Sequence, residues 1–238
     1  MPRTLRTSDP NGKREALTRG RVLSGAIAVA DAGGAGSSLT IRSLAQHLGV
    51  KPMAIYHHVA SKGEILDGIL DVVFSEIELP LPGGDWRTEM ARRAQSARRV
   101  LRRHPWAIEL LQSGTAPGMA TLRHHNAIIG TLREAGFSVR MTAHAYALLD
   151  SYIYGFALSE ATLPINGPET VAEVAEMMMQ EHPLDDYPYL AEFSTEHILR
   201  PDYDFGGEFD FGLDVILDGL ARSILAADDG DLHGPVVG

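Results

Sequence analysis

The sequence predicts an all-α protein with a small N-terminal domain and a larger C-terminal helical bundle. Apolar residues recur at helical spacing along most of the chain, and no segment shows a convincing strand-like alternation. A Pro- and Gly-rich stretch at residues 78–85 separates the two parts. Residues 1–64 hold nine Lys or Arg and four Asp or Glu, whereas the remaining residues hold 12 and 27. This asymmetry indicates a basic interaction module on an acidic body.

The N-terminal elements are predicted from caps and turns. Residues 1–17 are polar and basic, which predicts a mobile arm. Thr18 is placed to cap a first helix that ends at a run of glycines, and Thr40 is placed to cap a second helix. Gly49 permits a sharp turn, and Pro52 suits the first turn of a third helix, where its missing N–H is no loss.

A longer fourth helix is predicted to follow, capped by Ser61 and running to about Phe74. The chain then divides into an arm, a three-helix domain, a connecting helix and a C-terminal domain, with bounds 1–17, 18–64, 65–80 and 81–238. Further helices are predicted near residues 85–104, 105–113, 117–136, 138–163, 168–181, 187–198 and 208–227.

Composition favours a soluble cytoplasmic protein. The chain has no Cys, which excludes a disulfide framework and thiolate chemistry. No apolar run approaches the ~20 residues that a membrane-spanning helix needs. The N-terminus lacks the apolar segment of a secretory signal. Catalysis is also disfavoured, because the chain contains no Glu-x-x-His pair, nucleophile motif or phosphate-binding Gly loop.

Residues 39–66, LTIRSLAQHLGVKPMAIYHHVASKGEIL, combine two short amphipathic segments with a Gly turn and an aromatic-basic cluster. This spacing is typical of a helix-turn-helix, which inserts its second helix into the DNA major groove. The stretch resembles the DNA-binding signature of the tetracycline-repressor (TetR) family. The residues that carry the resemblance are Thr40, Arg42, Leu44, Ala45, Gly49, Val50, Ile55, Tyr56, His58, Val59 and Lys62.

The resemblance implies a role for each exposed position of this motif. Counterparts of Thr40 and Arg42 contact the phosphate backbone or a base edge, and those of Tyr56 and Lys62 hold phosphates. Arg42 is the expected guanine reader, because the apolar turn between Lys51 and Tyr56 can touch a thymine methyl but cannot form bidentate bonds. The expected DNA-binding residues are Thr40, Arg42, Lys51, Pro52, Met53, Ala54, Tyr56, His57 and Lys62.

Two other interpretations of this segment are open at the level of sequence. Tyr56 could fill the core between helices, although a buried Tyr needs a partner for its hydroxyl. His57 and His58 could suggest a metal pair, but adjacent helical positions point about 100° apart. No metal site is therefore expected.

The C-terminal part resembles the effector-binding and dimerisation domain of the same family, in segments such as DWRTEMARRA, LREAGFS and YGFALSEA. The resemblance implies a homodimer that pairs helices 138–163 and 208–227 with their mates, although burial within one chain is an alternative. Each of these helices carries a stripe of residues on one face that is expected to be buried. In the helix 138–163 the stripe is Ala147, Leu148, Ser151, Tyr152, Gly155 and Leu158. In the helix 208–227 it is Leu213, Ile216, Leu217, Leu220, Ile224 and Leu225.

The resemblance also implies a small-molecule pocket among the central helices. Gln112 and Ser151 align with positions where the tetracycline repressor uses histidines to hold a magnesium–drug complex, so that effector is not expected. No cofactor is expected either. The expected effector-binding residues are Gln112, Pro117, His125, Ile128, Ser151 and Tyr152.

The helix near 85–104 carries an unusual density of arginine. We interpret this as a solvated face with intramolecular ion pairs, and the alternative is that Arg93 forms the wall of an anion-binding pocket. The six residues are Arg92, Arg93, Arg98, Arg99, Arg102 and Arg103.

The expected function is transcriptional repression by occupancy of double-stranded operator DNA, relieved by a small-molecule effector, with no membrane association. The alternatives are a ligand-independent or activating regulator of the same fold, an interaction protein that uses the motif to dimerise, and a helical-bundle enzyme. The expected fold class is all-α, an N-terminal three-helix DNA-binding domain plus a C-terminal bundle for ligand binding and dimerisation.

Overall fold

The computed structural model describes residues 16–33, 39–112, 116–162, 177, 186–200 and 202–230, and within these ranges it is helical with no β-strand. The N-terminal helices are α1 (Arg19–Gly33), α2 (Ile41–Leu48), α3 (Pro52–Ile55) and α4 (Lys62–Ser75). The C-terminal helices are α5 (Trp86–Arg103), α6 (Trp106–Gln112), α7 (Met119–Glu134), α8 (Val139–Thr162), α9 (Pro188–Phe193, continuing as a π-helical turn, Ser194–Ile198) and α10 (Phe205–Gly230).

Most expected helices are present with shifted ends. The expected connecting helix, 65–80, corresponds to a helix that begins at Lys62 and ends at Ser75. The last helix begins at Phe205 and ends at Gly230, three residues beyond each expected end. The expected helix near 168–181 lies outside the described residues apart from Met177, and the arm lies outside them up to residue 15.

The chain forms two compact units, residues 1–69 and 70–238, and their boundary falls inside α4. The core of the first unit is aliphatic. Its helices approach closely where glycine removes a side chain, since a Cβ on Gly25 of α1 would lie 2.7 Å from Leu48 Cδ2 of α2. The buried residues of this core include Val22, Leu23, Ala26, Ala30, Leu39, Leu44, Ala45, Ile55, Val59, Ile65 and Ile69.

In the second unit, α5 packs against α6, α7 and α8, and α8 also packs against α10. The Pro- and Gly-rich stretch is held on α5: the Glu78 N–H donates to Ser96 Oγ at 3.0 Å, and the Leu81 N–H donates to Glu89 Oε2 at 2.8 Å. Gly83 takes a left-handed φ of 72° in this stretch. Asp85 then caps α5 by accepting from the Thr88 N–H.

Four arginines of α5, Arg92, Arg98, Arg99 and Arg103, form the expected ion pairs, but Arg93 departs from the expected solvated face. Arg92 and Arg99 both pair with Glu78, at 2.6 and 3.0 Å. Arg98 binds both carboxylate oxygens of Glu160, at 2.9 and 2.6 Å. Arg93 is only 1% exposed, because it falls on the inner face of α5 with Met90, Ala94 and Ala97.

Helix α7 begins with a cap supplied by another helix. Gly118 occupies its N-cap position and has no side chain with which to cap. The Asp71 carboxylate on α4 accepts from the backbone N–H of Ala120 at 3.2 Å and of Thr121 at 2.8 Å. A Cβ on Gly118 would collide with that carboxylate. Asp71 thus satisfies donors that the first turn of a helix leaves unpaired.

The two stripes that are expected to be buried between chains differ in their exposure. On α10, Leu213, Leu217 and Leu220 are buried within the chain, so the alternative interpretation holds for them. A different face of α10 is open, where Phe211 is 71% and Val215 53% exposed. The exposed stripe residues of α8 are Ala147, Leu148, Ser151, Gly155 and Leu158.

Candidate DNA-binding surface and buried polar cluster

A capping box fixes the start of α2. The Thr40 hydroxyl accepts from the Ser43 N–H at 3.0 Å, and the Ser43 hydroxyl accepts from the Thr40 N–H at 2.9 Å. Arg42 therefore stands in the first turn of α2, where it is exposed. The structure gives Thr40 this structural role, whereas its expected DNA contact remains a prediction.

The turn between α2 and α3 exposes the segment expected to face DNA. Gly49 ends α2 in the left-handed region, with φ 67°, and Lys51 is extended before Pro52 at the start of α3. Lys51, Pro52 and Met53 are exposed, with Met53 at 70%. Ala54 is half-buried and Ile55 is fully buried. Ile55 therefore anchors a short helix whose preceding residues face outward.

The residues after α3 are also exposed. Tyr56 is 42% exposed, which argues against the core-filler interpretation, and His57 is exposed beside it. Lys62 lies at the first position of α4, whose start is held by Ser61 Oγ accepting from the Glu64 N–H at 3.1 Å. The Ala60 N–H, and after it Arg19, hydrogen-bond to the Glu64 carboxylate and hold its pKa below the usual range.

Three cations of this segment are available to an anionic partner. Arg42, Lys51 and Lys62 are exposed, and no ion pair is formed by any of them within the described residues. Arg19 differs, because it pairs with Glu64 at 3.3 Å. Exposed cations around a helix-turn-helix can neutralise phosphates and release counterions. The segment therefore suits binding to the DNA backbone.

The second unit contains a buried polar cluster of Arg93 on α5, His124 on α7 and Asp150 on α8. Arg93 Nε and Nη2 lie 3.2 and 3.1 Å from His124 Nε2, and Nη2 also donates to Asp150 Oδ1 at 2.6 Å. All three side chains are buried. Burial, and after it the Arg93 charge, lowers the pKa of His124 to about 3. His124 is therefore neutral at physiological pH and accepts a hydrogen bond from Arg93.

Aromatic rings surround this cluster. The Phe74 ring lies 5.5 Å from that of His124 and 6.2 Å from that of His125, and His125 lies 5.6 Å from Tyr146. His125 Nδ1 is also hydrogen-bonded to the Tyr146 hydroxyl. Burial first, and the Asp150 charge second, raise the pKa of Tyr146 and Tyr154 above the usual range. Both phenols are therefore protonated at neutral pH.

The second unit contains three buried polar side-chain atoms that have no hydrogen-bond partner within the described residues. Among the described residues they are Arg93 Nη1, His124 Nδ1 and Thr142 Oγ1. Thr142 lies eight residues before Asp150 on α8, or about 12 Å along the helix. We therefore treat Arg93 and His124 as one site and Thr142 as separate from it.

The residues expected to bind an effector are dispersed. His125 adjoins the buried cluster, and Ile128, one turn further along α7, is fully buried. The Tyr152 hydroxyl instead donates toward the carbonyls of Glu208 and Phe209, at 3.1 and 3.0 Å. Pro117 and Ser151 are exposed, and the side chain of Gln112 lies outside the described residues.

Sequence reasoning missed His124 and Asp150 and gave Arg93 only a minor role. A signal was present at Asp150, which is a single carboxylate within the apolar run ALLDSYIYGFAL. A charge in such a run is buried unless the helix turns it outward, and a buried charge needs a partner. The partner, Arg93, lies 57 positions earlier in the chain and could not be identified from spacing.

The described residues also bear on a metal site and on a membrane-spanning helix. No group of three or more His, Asp or Glu side chains is arranged to hold a metal ion there. No helix in those ranges is both long and apolar enough to cross a bilayer.

Comparisons with known proteins identify relatives over most of the chain. Residues 79–224 match the family described as tetracyclin repressor-like, C-terminal domain. The HTH-type transcriptional repressor DrrR1 of Streptomyces coeruleorubidus is 32% identical over 218 residues, which are 88% of this chain and 79% of that protein. The class A tetracycline repressor protein of transposon 1721 from Escherichia coli is 29% identical over 83% of this chain and 87% of its own length.

Solved structures share the fold. A possible TetR-family transcriptional regulator from Streptomyces coelicolor A3(2) superposes with a TM-score of 0.70 at 29% identity, covering 86% of this chain and 99% of that one. The TetR-family protein ActR from Streptomyces coelicolor, in complex with actinorhodin, gives 0.71 at 24% identity, covering 88% and 99%.

Proposed function

This chain belongs to the tetracycline-repressor (TetR) family of transcriptional regulators, and we propose that it represses transcription by occupying operator DNA until a small molecule releases it. The observation that carries this proposal is the set of exposed cations Arg42, Lys51 and Lys62 around the helix-turn-helix, which form no ion pair with any residue that the structure describes. The related proteins DrrR1 and the class A tetracycline repressor are repressors, which supports this proposal. We place its action in the cytoplasm, where operator DNA is found.

Different side chains of the surface have different roles in this proposal. Lys62, Tyr56 and Thr40 bind phosphates and fix the position of the domain, and His57 adds a contact beside them. Arg42 reads a guanine, while Met53 and Ala54 contact thymine methyl groups. Lys51 and Pro52 complete the turn that faces the groove. Residues 18–64 thus form the DNA-binding domain, which 65–80 connects to the effector-binding and dimerisation domain, 81–238.

We propose that the protein binds its operator as a homodimer through α8 and α10. The exposed apolar residues Leu148 and Leu158 of α8, and Phe211 and Val215 of α10, support this assignment. Large apolar side chains grouped on a surface mark interaction sites. A dimer also suits the motif, because two helix-turn-helix domains read half-sites about one DNA turn apart.

Release requires an effector that prefers a conformation in which the two domains no longer match the half-sites. A ~10²-fold loss of operator affinity requires a coupling free energy of about 3 kcal/mol. The buried cluster of Arg93, His124 and Asp150 supports an effector site in the C-terminal unit, since perturbed ionisable groups concentrate at functional sites.

The test is operator binding by the full-length protein, with DNA selected from a random pool and binding measured across a salt series. We expect specific binding that weakens with salt, and Lys62→Ala should reduce the slope of log K against log salt by about 1 on every sequence. Arg140→Ala, an exposed cation on α8, is the matched control and should bind as wild type. Absence of specific, salt-sensitive binding by the wild type contradicts the proposal.

A further inference from the structure

An open pocket of about 180 Å³ lies in the second unit, between the exposed face of α5 and the first turns of α10. The four residues that α5 contributes follow the i, i+3, i+4, i+7 spacing of one helix face. All five residues that line the pocket are polar, and none of them belongs to the buried cluster on the inner face of α5. They are Gln95, Arg98, Arg99, Arg102 and Asp210.

Arg98 forms a fixed wall of this pocket. Its Nε and Nη2 donate to the two carboxylate oxygens of Glu160 at 2.9 and 2.6 Å, and its Nη1 donates to the Gly206 carbonyl at 3.0 Å. Its Cζ also lies 5.2 Å from the ring centre of Phe156 and 4.8 Å from that of Phe209. Because these contacts hold the guanidinium in place, the choice of ligand depends on the other lining residues.

The end of the pocket at Arg99 and Arg102 is electropositive. Arg102 is exposed, and it forms neither an ion pair nor a hydrogen bond with any residue that the structure describes. Arg99 pairs with Glu78 through Nη2 at 3.0 Å, but Glu78 also pairs with Arg92. This end therefore has N–H donors available, and arginine binds a carboxylate through two parallel hydrogen bonds.

The other end of the pocket, at Asp210, is electronegative. Asp210 is exposed, and within the described residues its carboxylate forms no ion pair and accepts only from Gln95 Nε2, at 3.4 Å. Hydrogen bonding to Glu160, and after it the charges of Asp210 and Asp204, raise the pKa of Arg98. Three carboxylates therefore lie around one guanidinium, and the negative charge that remains suits an ammonium group.

The distance between the two ends sets the length of the ligand. Gln95, beside Asp210, and Arg102 are seven positions apart, which is about 10 Å along α5. A ligand that reaches both ends must carry an ammonium group at one end and a carboxylate about 10 Å away. An extended peptide of three residues spans about that distance. Its amide groups can also form hydrogen bonds with a polar lining.

We propose that this pocket binds a short peptide through both of its charged ends, with the carboxylate on Arg99 and Arg102 and the α-ammonium group on Asp210. The site shares no residue with the DNA-binding surface or with the buried cluster. It is therefore additional to the proposed function and independent of it.

Three peptides that differ only in their ends test the proposal on the full-length protein. Isothermal titration calorimetry compares triglycine with N-acetyltriglycine, which lacks the ammonium group, and with triglycine amide, which lacks the carboxylate. Triglycine should bind ~5-fold more tightly than either capped peptide, because each cap removes one solvent-accessible ion pair. Equal binding of the three peptides, or no saturable binding of triglycine up to about 10 mM, would overturn the proposal.

Two substitutions assign the ends of the peptide to the ends of the pocket. Arg102→Gln should lose the preference for triglycine over its amide and keep the preference over the acetylated peptide. Asp210→Asn should do the reverse. Arg140→Gln, which removes an exposed cation on α8, is the matched control and should keep both preferences. Unchanged preferences in folded Arg102→Gln and Asp210→Asn proteins contradict the assignment.

Circular dichroism shows whether each variant folds. If one does not, the comparison of the three peptides on the wild type decides the matter alone. Absence of operator binding contradicts the proposed function and does not affect this site, whereas intact operator binding with no preference for triglycine contradicts only the peptide site.

Discussion

The two units of this protein bury different kinds of side chain. Among the described residues of the first unit, every buried side chain is apolar or glycine, and the ionisable groups of its helix-turn-helix lie outside. The second unit buries Glu89, Ser96, His104, Thr121 and Thr142 as well as the cluster of Arg93, His124 and Asp150. The first unit therefore presents its polar side chains at the surface, where a partner can bind them. The second unit also places polar side chains in its interior.

Removing one partner of the buried ion pair should cause the largest loss of stability. Arg93→Met leaves Asp150 buried without its counter-charge, which should lower the free energy of unfolding by about 3–5 kcal/mol. Both Trp residues, Trp86 and Trp106, lie in the second unit. Urea unfolding followed by Trp fluorescence therefore reports the loss there.

Arg19→Met is the matched control in the first unit. The partner of Arg19 is Glu64, and both side chains of that ion pair are exposed. Exposed pairs contribute about 0–1 kcal/mol, so unfolding followed by circular dichroism should change little. Equal losses in the two variants would remove the distinction between the units.

Acid should weaken the second unit through His124. Its pKa is about 3 in the folded protein, below the ~6.5 of an unfolded histidine. Below pH 6.5 the unfolded chain therefore binds a proton that the folded chain does not, and stability falls as pH falls. The loss should reach about 2 kcal/mol at pH 5 relative to pH 8. Urea midpoints measured across this range test it.

His124→Gln should remove this part of the pH dependence, because glutamine does not titrate. An unchanged slope in His124→Gln would contradict the assignment of the acid effect to this residue.

A substitution on the surface of the first unit should affect binding and leave folding intact. Arg42→Ala should weaken operator binding by about 1–3 kcal/mol and relax specificity at one base position. Arg42→Lys keeps the charge but cannot form the bidentate bond to guanine, so it should recover affinity without specificity. Binding to operator variants measures both. A loss that is equal on every sequence would make Arg42 a phosphate contact.

The smallest effects should have opposite signs in the two units. Thr142→Val removes a buried hydroxyl that has no hydrogen-bond partner in the described part of the chain, and it should stabilise the second unit by about 1 kcal/mol. Thr40→Val removes the hydroxyl that caps α2 and should destabilise the first unit by about 1 kcal/mol. Thermal unfolding of both variants tests this pair. Two changes of the same sign would contradict our account of one of the hydroxyls.

The contrast also explains how far the sequence predicts the structure. Thr40, Gly49 and Pro52 act on backbone within a few residues of themselves, so the helix-turn-helix and its exposed positions could be predicted. Helical spacing places Arg93 on the inner face of α5 with Met90, Ala94 and Ala97, but its partner there, Asp150 on α8, could not be identified from spacing. Tyr152 likewise matches the expected pocket in sequence, but its hydroxyl is directed to carbonyls of α10.

The cap on α7 has a consequence for the order in which the chain folds. Helix α7 starts at a glycine, and the acceptor for its first N–H groups is Asp71, 49 and 50 positions earlier. A peptide cut to α7 alone should therefore fray at its beginning. On the ribosome α4 emerges first, so the carboxylate is already available when Gly118 leaves the exit tunnel. Synthesis from the N-terminus delivers the acceptor before the donors that require it.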